Sequence, residues 1–84
     1  VFREPRPVSV TGVKGEAVSV DDRGFLSASP AVLDGRRVVS WAGPWPIVER
    51  TWDPSRERRA HRFQLVDDHG SAWLAVWERG VWHL

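Results

Sequence analysis

The closing stretch HRFQLVDDHGSAWLAVWERGVWHL (61–84) constrains this chain more than any other part of it. Apolar and polar residues alternate there, and the alternation is broken by Asp68-His69-Gly70 and again by Arg79-Gly80. This pattern predicts three consecutive antiparallel strands. A tight Arg79-Gly80 connection puts Trp77 opposite Trp82 and Ala75 opposite Leu84. A three-residue loop at 68–70, with Gly70 in the left-handed conformation, sets Leu65 opposite Trp73 and Phe63 opposite Ala75. One face then carries Phe63, Leu65, Trp73, Ala75, Trp77, Trp82 and Leu84. A one-residue change in the loop would turn the first strand over and break the match, so register and hydrophobic pattern support each other. That face is the predicted core.

The reverse face carries Arg62, Gln64, Val66, Leu74, Val76, Val81 and His83, polar on one strand and apolar on the next two. Leu74, Val76 and Val81 need a cover. The favoured reading is that the N-terminal strands fold over them, because a small barrel or sandwich must close somewhere. The alternative is a partner.

Upstream, PVSVTG (7–12) and AVSVDD (17–22) share a V-S-V core and are separated by VKGE, which reads as a hairpin. GRRVVSW (35–41) and WPIVERTW (45–52) read as two further strands joined by AGP. Pro44 and Pro46 lack amide donors, so the second of these begins at an edge or a bulge. Asp53 followed by Pro54 is a helix-start signal in a segment too short for more than one turn, near 54–60. The predicted fold is all-β: a small antiparallel barrel or sandwich of about six or seven short strands with a tryptophan-rich core. Residues 1–84 form a single small domain.

Six Trp and three Phe in 84 residues fit that fold, since a domain this short relies on large side chains for its core. Four of the six tryptophans fall on hairpin pairing positions, which favours packing over an exposed stacking platform. There is no cysteine, hence neither a disulfide framework nor a thiolate metal site. No signal peptide and no apolar run of membrane-spanning length is present. The formal charge of +1 is too balanced for bulk attraction to a polyanion. Lys14 is the one lysine among twelve basic residues, a bias that a GC-rich genome explains without chemistry. The chain lacks methionine and opens on VFREPRPVSV, so it reads as a fragment of a longer protein.

Signatures of catalysis are missing: no Gly-rich phosphate loop, no G-x-S-x-G and no H-E-x-x-H. His61, His69 and His83 are isolated in sequence. A turn of Asp67, Asp68, His69 and Gly70 could hold a cation, but such residues far more often build only the turn. The expectation is a non-enzyme without cofactor or metal. Arg56, Arg58, Arg59 and Arg62 cluster beside Trp52, the pairing that single-stranded nucleic acid favours. Glu49, Asp53 and Glu57 interleave with them and weaken the local field. A solvated, arginine-rich connection is the plainer account.

EPRPVSV, VSVDDRGFLSASP, VVSWAGPWPIVERTWDP and HRFQLVDDHGSAWLAVWERGVWHL together resemble the extreme C-terminal domain of the ImuB family. These are the catalytically inactive, Y-family polymerase-like subunits of mycobacterial-type mutasomes. The resemblance covers essentially the whole chain and is most specific in WAGPWP and RFQLVDD. It implies an adaptor in the DNA damage response and in translesion synthesis, the SOS mutagenesis pathway, in the cytoplasm and associated with the nucleoid. Family members join the β sliding clamp, a RecA-like accessory protein (ImuA′) and an error-prone C-family polymerase. The family's clamp-binding motif has no match here, since QLVDD turns acidic where a hydrophobic anchor is needed. The clamp is therefore not expected to bind through this fragment. What the resemblance implies for it is protein–protein docking to the accessory protein, the polymerase or both. Two candidate partner surfaces follow: the mixed face with Leu74, Val76, Val81 and His83, and an arginine rim of Trp52, Arg56, Arg58, Arg59 and Arg62. The alternative is a single-stranded DNA-binding module using the arginine–tryptophan rim.

Overall fold

A computed structural model describes residues 6–49 and 58–84. These form six strands: β1 (Val10–Thr11), β2 (Val32–Leu33), β3 (Arg36–Glu49), β4 (Arg58–Asp67), β5 (Ala72–Glu78) and β6 (Val81–His83). Their order in the antiparallel sheet follows the chain, β1 to β6. The sheet closes on itself. Arg6 and Leu84 exchange backbone hydrogen bonds of 3.3 and 2.9 Å, and the Val8 amide donates to the Trp82 carbonyl at 3.0 Å. The run from Arg6 thus lies along β6 and continues into β1, which pairs with β2. The fold is all-β, as expected, and of the barrel and the sandwich that the sequence left open it is the barrel.

The C-terminal meander has the expected register: Phe63 faces Ala75, Leu65 faces Trp73 and Trp77 faces Trp82. Phe63, Leu65, Ala75 and Trp82 are buried, and Trp73, Trp77 and Leu84 pack around them. Arg79 and Gly80 both have positive φ (54° and 78°), the geometry of a two-residue turn that follows strand twist. The predicted hairpin at 7–22 is also present, but short: the Gly12 amide donates to the Glu16 carbonyl and the Val18 amide to that of Val10.

Two expectations need correction. The runs 35–41 and 45–52 are not two strands joined by AGP. From Arg36 to Glu49 the chain is one strand, and Ala42-Gly43-Pro44 lies inside it, where the pairing to β4 shifts between Ala42 and Trp45. The bulge inferred from the prolines is real, but the turn is not. Beyond Val38 the described residues pair β3 with β4 alone, so its other edge is open and can carry two residues without amide donors. Residues 58–60, the end of the segment to which one helical turn was allowed, are strand in β4, and 54–57 lie outside the described residues.

The second correction concerns closure. The N-terminal segments do not fold over Leu74, Val76 and Val81. Val10, Val18 and Leu33 pack instead against Phe63, Leu65, Ala75 and Trp82, inside the barrel. The physical reason lies in the aromatic face. Phe63, Trp82 and their neighbours present more apolar area than three aliphatic side chains do, so burying that face is worth more. The buried Trp82 indole N–H also needs an acceptor, and donates to the Val18 carbonyl at 2.7 Å.

The β4–β5 turn is built by Asp67. Only 3% exposed, it accepts hydrogen bonds from the His69 and Ser71 amides at 2.9 Å and from the Trp73 indole at 3.0 Å. The plain-turn reading of Asp67 to Gly70 therefore holds. The Trp73 hydrogen bond chiefly lowers the Asp67 pKa from 3.8; burial opposes this, while the two amides and the His69 charge reinforce it. A folded-state pKa below the unfolded one adds stability that is present above the unfolded value and lost as pH falls through the folded one. Acid titration of the unfolding midpoint is expected to show such a loss below pH 3.8, absent in Asp67→Asn. Parallel profiles for the two proteins would contradict this assignment.

Candidate functional site

From Arg62 to Asp67, alternation along β4 sends odd-numbered residues inward and even-numbered ones outward. The outer surface is therefore a set of rows across the sheet. One row runs Trp45, Arg62, Val76, His83 through four strands. Beside it Ala42, Gln64 and Leu74 form a second row. The pair Glu78 and Val81 belongs to a third. Leu74 is 57% exposed, Val81 49% and Trp45 42%, while Val76 and His83 are half-buried. Among the described residues this is an open apolar surface with one arginine, Arg62, in its middle row.

The sequence placed Leu74, Val76, Val81 and His83 together, and the structure does too. It also brings in Trp45, which sequence reasoning left out, beside Arg62, which the alternation had placed on this face and the arginine cluster had also assigned to a rim. Of the expected arginine rim, the side chains of Arg59 and Arg62 are the ones described. Arg62 faces outward, whereas Arg59 lies on the opposite side of β4, facing a cleft. Trp52 and Arg56 lie outside the described residues, and Arg58 opens β4 with its backbone opposite Glu49. In a strand, residues at i and i+3 point to opposite faces.

The cleft on the other side is framed by the turn at 21–24, the outer half of the β3–β4 hairpin and the Arg79-Gly80 turn. The Asp21 carboxylate accepts from the amides of Arg23 and Phe25 at 2.9 Å, which shapes the first of these turns. Gly24 (φ 87°) lets that turn dock: a Cβ there would come within 2.8 Å of Pro44 Cγ and 3.2 Å of His61 Nδ1. His61 Nδ1 is buried there without a hydrogen-bond partner among the described residues. No sequence signal links these residues, because they come from separate turns and strands.

Among the described residues no group of three or more His, Cys, Asp or Glu side chains is placed to hold a metal ion. Nor is any helix there long and apolar enough to cross a membrane. Compared with known protein families, with curated proteins and with solved structures, the chain finds no match in any of the three.

Proposed function

We propose that this domain is a non-catalytic docking module whose contact surface is the outer face of β3, β4, β5 and β6. The observation that carries this reading is that Leu74 and Val81 stay about half exposed while the apolar N-terminal segments pack elsewhere, in the barrel core. Contiguous exposed apolar area bordered by polar groups marks interaction surfaces. Tryptophan and arginine, here Trp45 and Arg62, are the residue types that most often anchor interfaces. The resemblance to the ImuB C-terminal domain supplies the context: an adaptor of translesion synthesis, acting at the nucleoid in the cytoplasm. Its partners there are the RecA-like accessory protein and the error-prone C-family polymerase.

Calorimetric titration of the domain with each of these two proteins tests the reading. Saturable binding to at least one is expected. Leu74→Asp and Arg62→Glu should each weaken it by on the order of 2 kcal/mol or more, with the unfolding midpoint nearly unchanged, since both residues are exposed. Binding that survives both substitutions would remove the outer face from consideration. Absence of binding to both proteins would remove the docking function itself.

A further inference from the structure

The cleft on the opposite side of the sheet has a volume of about 780 Å³, within the range of small-ligand sites. Arg23 reaches it from the first turn, Arg59 from β4 and Arg79 from the last turn, and all three are exposed. Trp77 forms part of its wall. Trp77 also lines a second hollow of about 330 Å³ on the side of Val10 and Val18. Trp77 is held edge to face against Trp82, with ring centroids 5.3 Å apart at 65°, so it is a fixed surface. Asp21 and Asp22 add carboxylates to the rim.

We propose that this cleft binds a nucleotide, with the base against Trp77 and the phosphate among Arg23, Arg59 and Arg79. Guanidinium groups present planar forks of donors that match phosphate oxygens, and here they arrive from three separate elements. A ring with open space beside it is a stacking surface for a base. The carboxylate of Asp22 can accept from the exocyclic amino and ring N–H groups that bases carry. The mixed charge of the rim argues against a track for a long polyanion. It suits a ligand with one anionic end and one aromatic, donor-rich end. A free nucleotide and one unit of a single strand share that chemistry. This inference is independent of the outer face, which lies across the sheet.

Binding of the 84-residue chain to dGMP and to a short single-stranded deoxyoligonucleotide, followed by calorimetry, tests it. Saturable binding to at least one probe is expected. The double variant Arg23→Ala, Arg79→Ala should weaken it by about tenfold or more. Neither residue is buried, so the fold should persist. Leu74→Asp should leave this binding unchanged. The salt dependence should correspond to one or two phosphates, a log–log slope between about −0.7 and −1.4. Tighter binding of the oligonucleotide would support a strand as the source, and tighter binding of dGMP a free nucleotide. The proposal fails if neither probe binds or if the double variant binds as well as the parent. It also fails if an acidic peptide displaces the nucleotide at equal concentration, which would make the cleft a general site for anions.

Discussion

Replacing Phe63 by alanine is expected to lower the free energy of unfolding by about 3–5 kcal/mol. Phe63 is fully buried, and its ring is edge to face with Trp82 at 5.5 Å and with Trp41 at 6.4 Å. It sits where β3, β4 and the N-terminal segments meet, so the cavity left behind has aromatic walls that cannot collapse without moving strands. Domains of this size have about 5–15 kcal/mol in total, so the variant should be partly unfolded at ordinary temperature. Phe63→Leu, which keeps most of the volume, should lose under about 1.5 kcal/mol. Urea denaturation followed by circular dichroism measures both. A loss below about 1 kcal/mol in the alanine variant would mean that this face is not the core of the folded protein.

The second large effect is expected at the β3 bulge. Gly43 has a φ of 131°, where a side chain is strained, and a Cβ there would lie 2.8 Å from Phe63 Cδ2 and 2.9 Å from the Arg62 carbonyl oxygen. Neither neighbour can retreat easily, since one is packed in the core and the other is backbone in the central strand. Gly43→Ala thus combines backbone strain of about 1–3 kcal/mol with overpacking of similar size. The expected loss is about 2–6 kcal/mol on the sum of those ranges. Gly35→Ala is the internal control: φ is also positive, at 86°, but nothing lies within 4 Å of the added carbon. It should cost only the strain, about 1 kcal/mol. Equal losses in the two variants would show that crowding against Phe63 does not matter.

Several elements could be read directly from residues. The meander at 61–84 was legible because two turn signals and a strict alternation agree on one register, and a slip of one residue would expose the aromatic face. Asp67, Asp68 and Gly70 were legible as a turn for a local reason: the Asp67 carboxylate binds amides two and four residues ahead. One signal was left unused. Asp34-Gly35 is a hairpin dipeptide, and both residues take positive φ in the two-residue connection from β2 to β3. Read in that way, it would have separated β2 from β3. The Ala42-Gly43-Pro44 run misled in the other direction, because its turn-forming residues here make a bulge within a strand. Composition cannot separate the two outcomes, since a bulge and a turn need the same backbone freedom.

What the sequence determined by itself is everything that depends on neighbours along the chain: the all-β class, the turns, the pairing of β4, β5 and β6 and the identity of the core face. Those features follow from the two-residue period of a strand and from residue preferences at turns, which act over a few positions. Which face the N-terminal segments cover was decided only by the tertiary structure. So was the separation of Arg59 from Arg62 and the meeting of Arg23, Arg59, Arg79 and Trp77 around one cleft. These depend on competition between surfaces distant in sequence. The aromatic face won because it buries more apolar area and offers the Trp82 indole its acceptor on Val18, and the aliphatic face was left to solvent.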